Sequence, residues 1–154
     1  LDRDHCEVFA YNSRLDTIQA VVANHLLEKV EHITNARIAN SSYLDQALNG
    51  VDGIKIPKRS AEIKEVFHIY SFWAENRNEL WKFLRDNGVD AKIHYPTPMH
   101  LQRAANFLAY QLGDFPISEN AANQTISLPV HEFVELNDLD FMISKVKEFY
   151  SNER

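Results

Sequence analysis

Glu65-Val66-Phe67-His68-Ile69-Tyr70-Ser71-Phe72-Trp73-Ala74 is the stretch on which the fold turns. It is dense in aromatic and β-branched residues, and both of its period-two faces are largely apolar. Phe67, Ile69 and Trp73 share one face, and Val66, His68, Tyr70 and Phe72 share the other. A strand apolar on both sides belongs inside a sheet, so residues 65–74 are predicted as a central strand. His68 then falls on a buried face, where a hydrogen-bonded core histidine is a simpler reading than a catalytic one.

Downstream, Asn76 is predicted to cap a helix that turns Leu80, Trp81, Phe83 and Leu84 inward and ends at Asn87-Gly88. Val89, Ala91, Ile93 and Tyr95 alternate with Asp90, Lys92 and His94, which predicts a half-exposed strand over 89–95. His94-Tyr95-Pro96-Thr97-Pro98-Met99-His100 follows. Its two prolines force a stiff, extended turn that displays His94, Tyr95 and His100. A helix over 101–112 is expected next, broken at Gly113-Asp114-Phe115-Pro116. A short helix over 118–124 then leads to a strand at Thr125-Ile126-Ser127-Leu128, which Pro129 stops. The last helix is expected to be capped at Asn137 and to bury Leu139, Met142, Ile143, Val146 and Phe149 or Tyr150.

Upstream, 51–64 is a polar connector with one short extended piece at 54–56 and a proline at Pro57. Before it, Leu15, Ile18, Val22, Leu26, Val30 and Ile33 recur at three- and four-residue steps. They predict a long helix starting at Ser13, which pairs with Asp16 in the capping-box pattern. Carried on to Leu48 and stopped at Asn49-Gly50, this helix would be about 54 Å long at 1.5 Å per residue. That exceeds the width of a small domain, so a bend near residues 40–42, or a bridge to a body outside these residues, is expected. Asn12 and Arg14 flank the cap, where a helix N-terminus favours an anion. Asp16 is the simplest partner for Arg14; a bound phosphate or carboxylate is the sharper reading.

The fold class that emerges is α/β in the α+β sense: a long N-terminal helix, then a small, mainly antiparallel sheet with helices packed on one side. The expected organisation is a lead-in over 1–12 from a missing large domain, an interdomain helix over 13–50 and a small C-terminal domain over 51–154. The start at Leu1 rather than Met reads as entry into the middle of something larger.

Composition bounds the function. The chain has 154 residues, 45% hydrophobic and 25% charged, enough for one domain with a core. A net charge of -6 with no basic stripe argues against nucleic acid as a partner. The apolar runs are too short for a membrane span, and with Cys6 alone no intrachain disulfide can form, so a cytoplasmic location is expected. His94, His100 and His131 have no metal-ligand spacing, so no metal is expected. The four glycines are scattered and build no phosphate loop, and no G-x-S-x-G elbow exists.

Five ordered motifs carry a resemblance that spans essentially the whole chain: Tyr11-Asn12-Ser13-Arg14-Leu15-Asp16-Thr17-Ile18-Gln19-Ala20, His68-Ile69-Tyr70, the 94–100 loop, Gly113-Asp114-Phe115-Pro116-Ile117-Ser118-Glu119 and Ile126-Ser127-Leu128-Pro129. Their order resembles the C-terminal part of the DegT-type sugar aminotransferases, pyridoxal 5'-phosphate enzymes of fold type I in the aspartate aminotransferase superfamily. The resemblance implies a homodimer that moves an amino group from an amino-acid donor, glutamate, to a keto-sugar nucleotide. It implies that the Schiff-base lysine lies in the N-terminal large domain, so no catalytic residue is assigned here and this chain alone is expected to be inactive. It assigns Asn12, with Arg14 in the same motif, to the cofactor phosphate of the other subunit. His94, Tyr95 and His100 fall beside the sugar-nucleotide pocket, and His68 near it. The alternative is a stand-alone, non-catalytic ligand-binding or dimerisation module; it would show a polar long helix where a domain of a larger enzyme would leave an apolar face.

Overall fold

The structure is a computed structural model that describes residues 7, 8, 11 and 15–152. Asn12, Ser13 and Arg14 lie outside the described residues, and with them the assignments made for Asn12 and Arg14.

The sheet is the predicted antiparallel one. Its order is β1 (Ile54–Lys55), β2 (Tyr70–Ala74), β3 (Thr125–Leu128), with β2 in the centre. Register sorts the side chains into two unlike faces. Tyr70 opposes Leu128 and Phe72 opposes Ile126, and these four are buried together with Ala74. Ser71 opposes Ser127, and Trp73 opposes Thr125, on the other face. The apolar face packs with Leu44 and Leu48 of α2 (Val30–Leu48), Leu80 and Leu84 of α3 (Arg77–Asp86), and Leu139, Met142, Ile143 and Val146 of α5 (Leu136–Asn152). Burying each such side chain stabilises the fold by about 1.5–3 kcal/mol. α4 (Pro116–Gln124) feeds directly into β3 and starts two residues earlier than predicted, with Pro116 in its first turn, where a missing N–H costs nothing.

Several expectations are corrected. β2 covers only the second half of the predicted strand, because Phe67 takes a left-handed φ of 48° and turns the chain just before it. Arg37 then captures the Phe67 and His68 carbonyls at 3.3 and 3.2 Å, diverting them from any ladder. Phe67 stays buried, but the parity of the preceding residues is lost and His68 is exposed, not a core histidine. The predicted strand over 89–95 reduces to a single antiparallel bridge, in which Lys92 and Ser127 exchange N–H···O bonds of 3.0 and 2.8 Å. In place of one helix over 101–112 there are two 3-10 segments, Met99–Leu101 and Arg103–Leu108. They are parted at Gln102, which is extended, buried, and donates to the Thr97 carbonyl. In α3, Trp81 is only partly covered, at 37% exposure, with its indole N–H on the Ala91 carbonyl at 3.1 Å, while Leu80 and Leu84 are fully buried.

The long N-terminal helix is two helices. α1 (Thr17–Leu27) and α2 are separated at Glu28-Lys29, whereas α2 runs without a break through 40–42. The cap of α1 is Asp16. Its carboxylate accepts from the Gln19 amide at 2.9 Å, and the Gln19 side chain accepts from the Asp16 amide at 3.1 Å. α1 buries none of its side chains. α5 likewise begins at Leu136, ahead of Asn137, and Asp138 takes the Glu135 amide at 3.0 Å. A polar cluster ties α2 to the connector and the sheet: Arg59 grips both oxygens of Asp45, and the Tyr70 hydroxyl donates to Asp45 at 2.9 Å. Burial, with Asp45 beside it, pushes the Tyr70 phenol up and keeps it protonated.

Candidate functional site

The second face of the sheet carries the site. Ser71 and Ser127, opposite each other on β2 and β3, bring their Oγ atoms to 2.8 Å, and the His94 Nδ1 lies 3.1 Å from the Ser127 Oγ. His94 lines three cavities, the third of them beside Trp81 and shared with Lys92 and Tyr95. The first, of about 230 Å³, is bounded by Arg37, His68, Lys92, Ser127 and His131 among others. The second, of about 480 Å³, is bounded by Tyr95, Thr97, Met99, Gln102, Ser118 and Thr125 among others. Tyr95 is exposed, with its ring edge-on to His94 at 5.5 Å between centroids.

α2 positions the rim of the first cavity through two side chains one turn apart. Arg37 holds the carbonyls at 67–68 and lies 3.7 Å from Glu132; Asn40 donates to the Val130 and His131 carbonyls at 3.3 and 3.2 Å. These contacts set the segments that carry His68 and His131. Lys92 is paired with Asp90 at 3.0 Å, and Asp90 is also held by Arg85.

His100 is placed differently from His94 and Tyr95. Its Nε2 is 3.0 Å from Glu119 Oε1, its ring meets Phe115 at a tilt of 55° with 4.8 Å between centroids, and its side chain is only 8% exposed. Glu119 also accepts from the Gly113 amide at 2.9 Å and the Phe115 amide at 3.2 Å. Burial pushes the Glu119 carboxyl up, but the two amides and His100 outweigh it and hold the group below the ordinary glutamate range. His100 and Glu119 therefore pin the 109–115 loop against the start of α4. Of the sequence-derived candidates, His68 and His94 share the first cavity, His94 and Tyr95 share the second, and His100 is engaged within the fold. Among the described residues no group of three or more His, Cys, Asp or Glu side chains is placed to hold a metal.

Sequence reading missed Ser71, Ser127, Arg37 and Asn40. The serines left a faint signal, small polar residues amid apolar strands, which becomes legible only once the register places them opposite each other. Arg37 and Asn40 left only their three-residue spacing on one helix face.

Residues 2–147 match the model of the DegT/DnrJ/EryC1/StrS aminotransferase family. The chain belongs to this family. Among its relatives it is 32% identical over 145 residues to the pleiotropic regulatory protein of Geobacillus stearothermophilus, covering 93% of this chain and 39% of that protein. It is 33% identical over 138 residues to the dTDP-3-amino-3,4,6-trideoxy-alpha-D-glucose transaminase of Streptomyces venezuelae, covering 90% of this chain and 36% of that one. The crystal structure of S. venezuelae DesV in complex with a ketimine intermediate superposes with a TM-score of 0.85 at 32% identity, over 94% of this chain and 39% of that chain. The chain thus spans about two fifths of the length of the relatives it matches.

DegT-type aminotransferases use pyridoxal phosphate, and the described residues do not make up a site for it. Such a site needs a lysine amine able to condense with the cofactor aldehyde. The one lysine lining these three cavities, Lys92, is in ion pairing with Asp90. No step of amino transfer is assigned to the described residues.

Proposed function

We propose that this chain is the C-terminal part of a pyridoxal-phosphate-dependent sugar aminotransferase. The intact enzyme works as a homodimer and moves an amino group from an amino acid, glutamate, to a keto-sugar nucleotide. The observation that carries this reading is the family match over nearly the whole chain, joined to a sheet face where His94 and Tyr95 border cavities of ligand size. The cofactor, when bound, supplies the aldehyde and the electron sink; its lysine belongs to the large domain. This chain's own part is to bind and orient. His94 and Tyr95 hydrogen-bond sugar hydroxyls or phosphate oxygens, His68 stands at the rim, and His100 contributes by holding its loop. Asn12, with Arg14, reaches the cofactor phosphate of the other subunit, as an amide beside a helix N-terminus suits a dianion.

α1 supports the same reading. Ile18, Val21, Val22, Leu26 and Leu27 of α1 are all exposed, as is Leu15 just before it, and so much uncovered apolar surface is what a helix lying between two domains would present. A stand-alone module would be expected to keep that helix polar. The test uses the full-length protein. His94→Ala is expected to raise the KM for the keto-sugar nucleotide about tenfold or more while leaving the half-reaction with the amino donor unchanged. Asn12→Ala is expected to weaken cofactor retention with the small domain still folded. Keto-sugar-dependent turnover by the 154-residue chain alone, or an upstream reading frame without a Schiff-base lysine, would overturn the proposal.

A further inference from the structure

We propose that Ser127, backed by Ser71, is a positioning residue for His94, and that this serine pair decides which imidazole nitrogen meets the sugar-nucleotide ligand. The inference rests on the sugar-site reading above and deepens it.

Ser127 is 3% exposed, and its backbone is held on both sides: paired with Ser71 in β2, and bonded through its own N–H and carbonyl to Lys92. Its hydroxyl therefore has a fixed origin. Lys92 stands two residues before His94, so the same serine anchors the approach to His94 through its backbone and the ring through its Oγ, 3.1 Å from Nδ1. Alanine at positions 71 and 127 would be as compact on this sheet face and would bury no hydroxyl. Two hydroxyls in a row make physical sense as a chain that ends on the ring, because each hydroxyl has one proton to give and can accept another.

The chain can run in two directions. If Ser71 donates to Ser127 and Ser127 donates to Nδ1, the imidazole proton sits on Nε2, which then donates to a phosphate or carbonyl oxygen. If Nδ1–H donates to Ser127 and Ser127 to Ser71, Nε2 accepts from a sugar hydroxyl. In both cases Nδ1 is taken by the sheet and the ring addresses ligand through Nε2, with the direction of the chain following whether the ligand atom at Nε2 accepts or donates.

The test compares full-length wild type, Ser127→Ala, Ser71→Ala, Ser127→Thr and His94→Ala. For Ser127→Ala the KM for the keto-sugar nucleotide is expected to rise about five- to tenfold, the effect of one net hydrogen bond, with the amino-donor half-reaction unchanged. Ser127→Thr, which keeps the hydroxyl, is expected to restore most of the loss. Imidazole 15N spectra should show a hydrogen-bonded Nδ1 at His94 in wild type and a shift of that Nδ1 signal in Ser127→Ala. Should Ser127→Ala fail to fold, Ser71→Ala carries the same two readouts with a smaller expected effect. Wild-type KM and wild-type His94 shifts in the foldable serine variants, alongside a raised KM in His94→Ala, would overturn the serine role and leave the sugar-site reading standing. If His94→Ala leaves the KM unchanged, the sugar-site reading fails instead, and the 15N spectra still decide whether the serines govern the ring.

Discussion

Glu119 receives the Gly113 and Phe115 amides and the His100 ring, so one carboxylate ties His100 to the turn at 113–115. Because its folded pKa is depressed, the stability it contributes is fully present above its ordinary value of 4.5 and is lost as pH falls below that value through the folded one. Urea unfolding of wild type between about pH 6 and pH 3 is expected to show this acid loss, and Glu119→Gln to flatten it. A second residue-scale test is Gly53, where φ is +81° and an added Cβ would lie 2.5 Å from the Tyr150 ring. Gly53→Ala is expected to destabilise the fold by about 1–3 kcal/mol in denaturant melts. Residue identity alone did not foretell such roles. Strand parity places His68 on a buried face, and a single left-handed residue at Phe67 reverses that. The proline-rich turn predicts a displayed His100, yet a carboxylate 19 residues further along the chain draws it inward.

At the scale of elements, legibility follows how far each one relies on its own pattern. α3 and α5 place a regular apolar stripe on the sheet, and both were readable from spacing. The 89–95 segment alternates like a strand, but its only ladder contact is the Lys92–Ser127 bridge, because the stiff 94–100 turn follows at once. Leu84→Ala, which empties a fully buried position between α3 and the sheet, is expected to cost about 2–5 kcal/mol by chemical denaturation. α1 behaves oppositely. Its capping box at Asp16 and Gln19 is local, and none of its side chains is buried. Asp16→Ala is expected to remove about 1 kcal/mol from the helix, seen as faster amide hydrogen exchange over 17–27, with the thermal midpoint of the body unchanged.

For the whole molecule, the exposed apolar surface of α1 dominates the expected solution behaviour. Ile18 is 78% exposed and Val22 54%, one turn apart on that helix. Apolar surface of this kind drives association, against which a net charge of -6 offers only long-range repulsion. The 154-residue chain is expected to self-associate with rising concentration in sedimentation velocity, and Ile18→Glu with Val22→Glu to return it to monomer without altering its circular dichroism. No helix among the described residues is long and apolar enough to cross a membrane. Read from the amino acids alone, the chain yields its helical stripes, its two main strands, the order of its loops and the family to which it belongs. The stripes, strands and loops depend on neighbours within a few positions, where periodicity and turn chemistry act; the family rests instead on the resemblance of five ordered motifs. The division of the long helix at Glu28-Lys29, the withdrawal of His100 and the gathering of Ser71, Ser127 and His94 were not readable in that way. Ser71 and Ser127 are 56 residues apart, and only the pairing register of β2 with β3, set by burial of Tyr70, Phe72, Ile126 and Leu128 on the opposite face, brings their hydroxyls into contact.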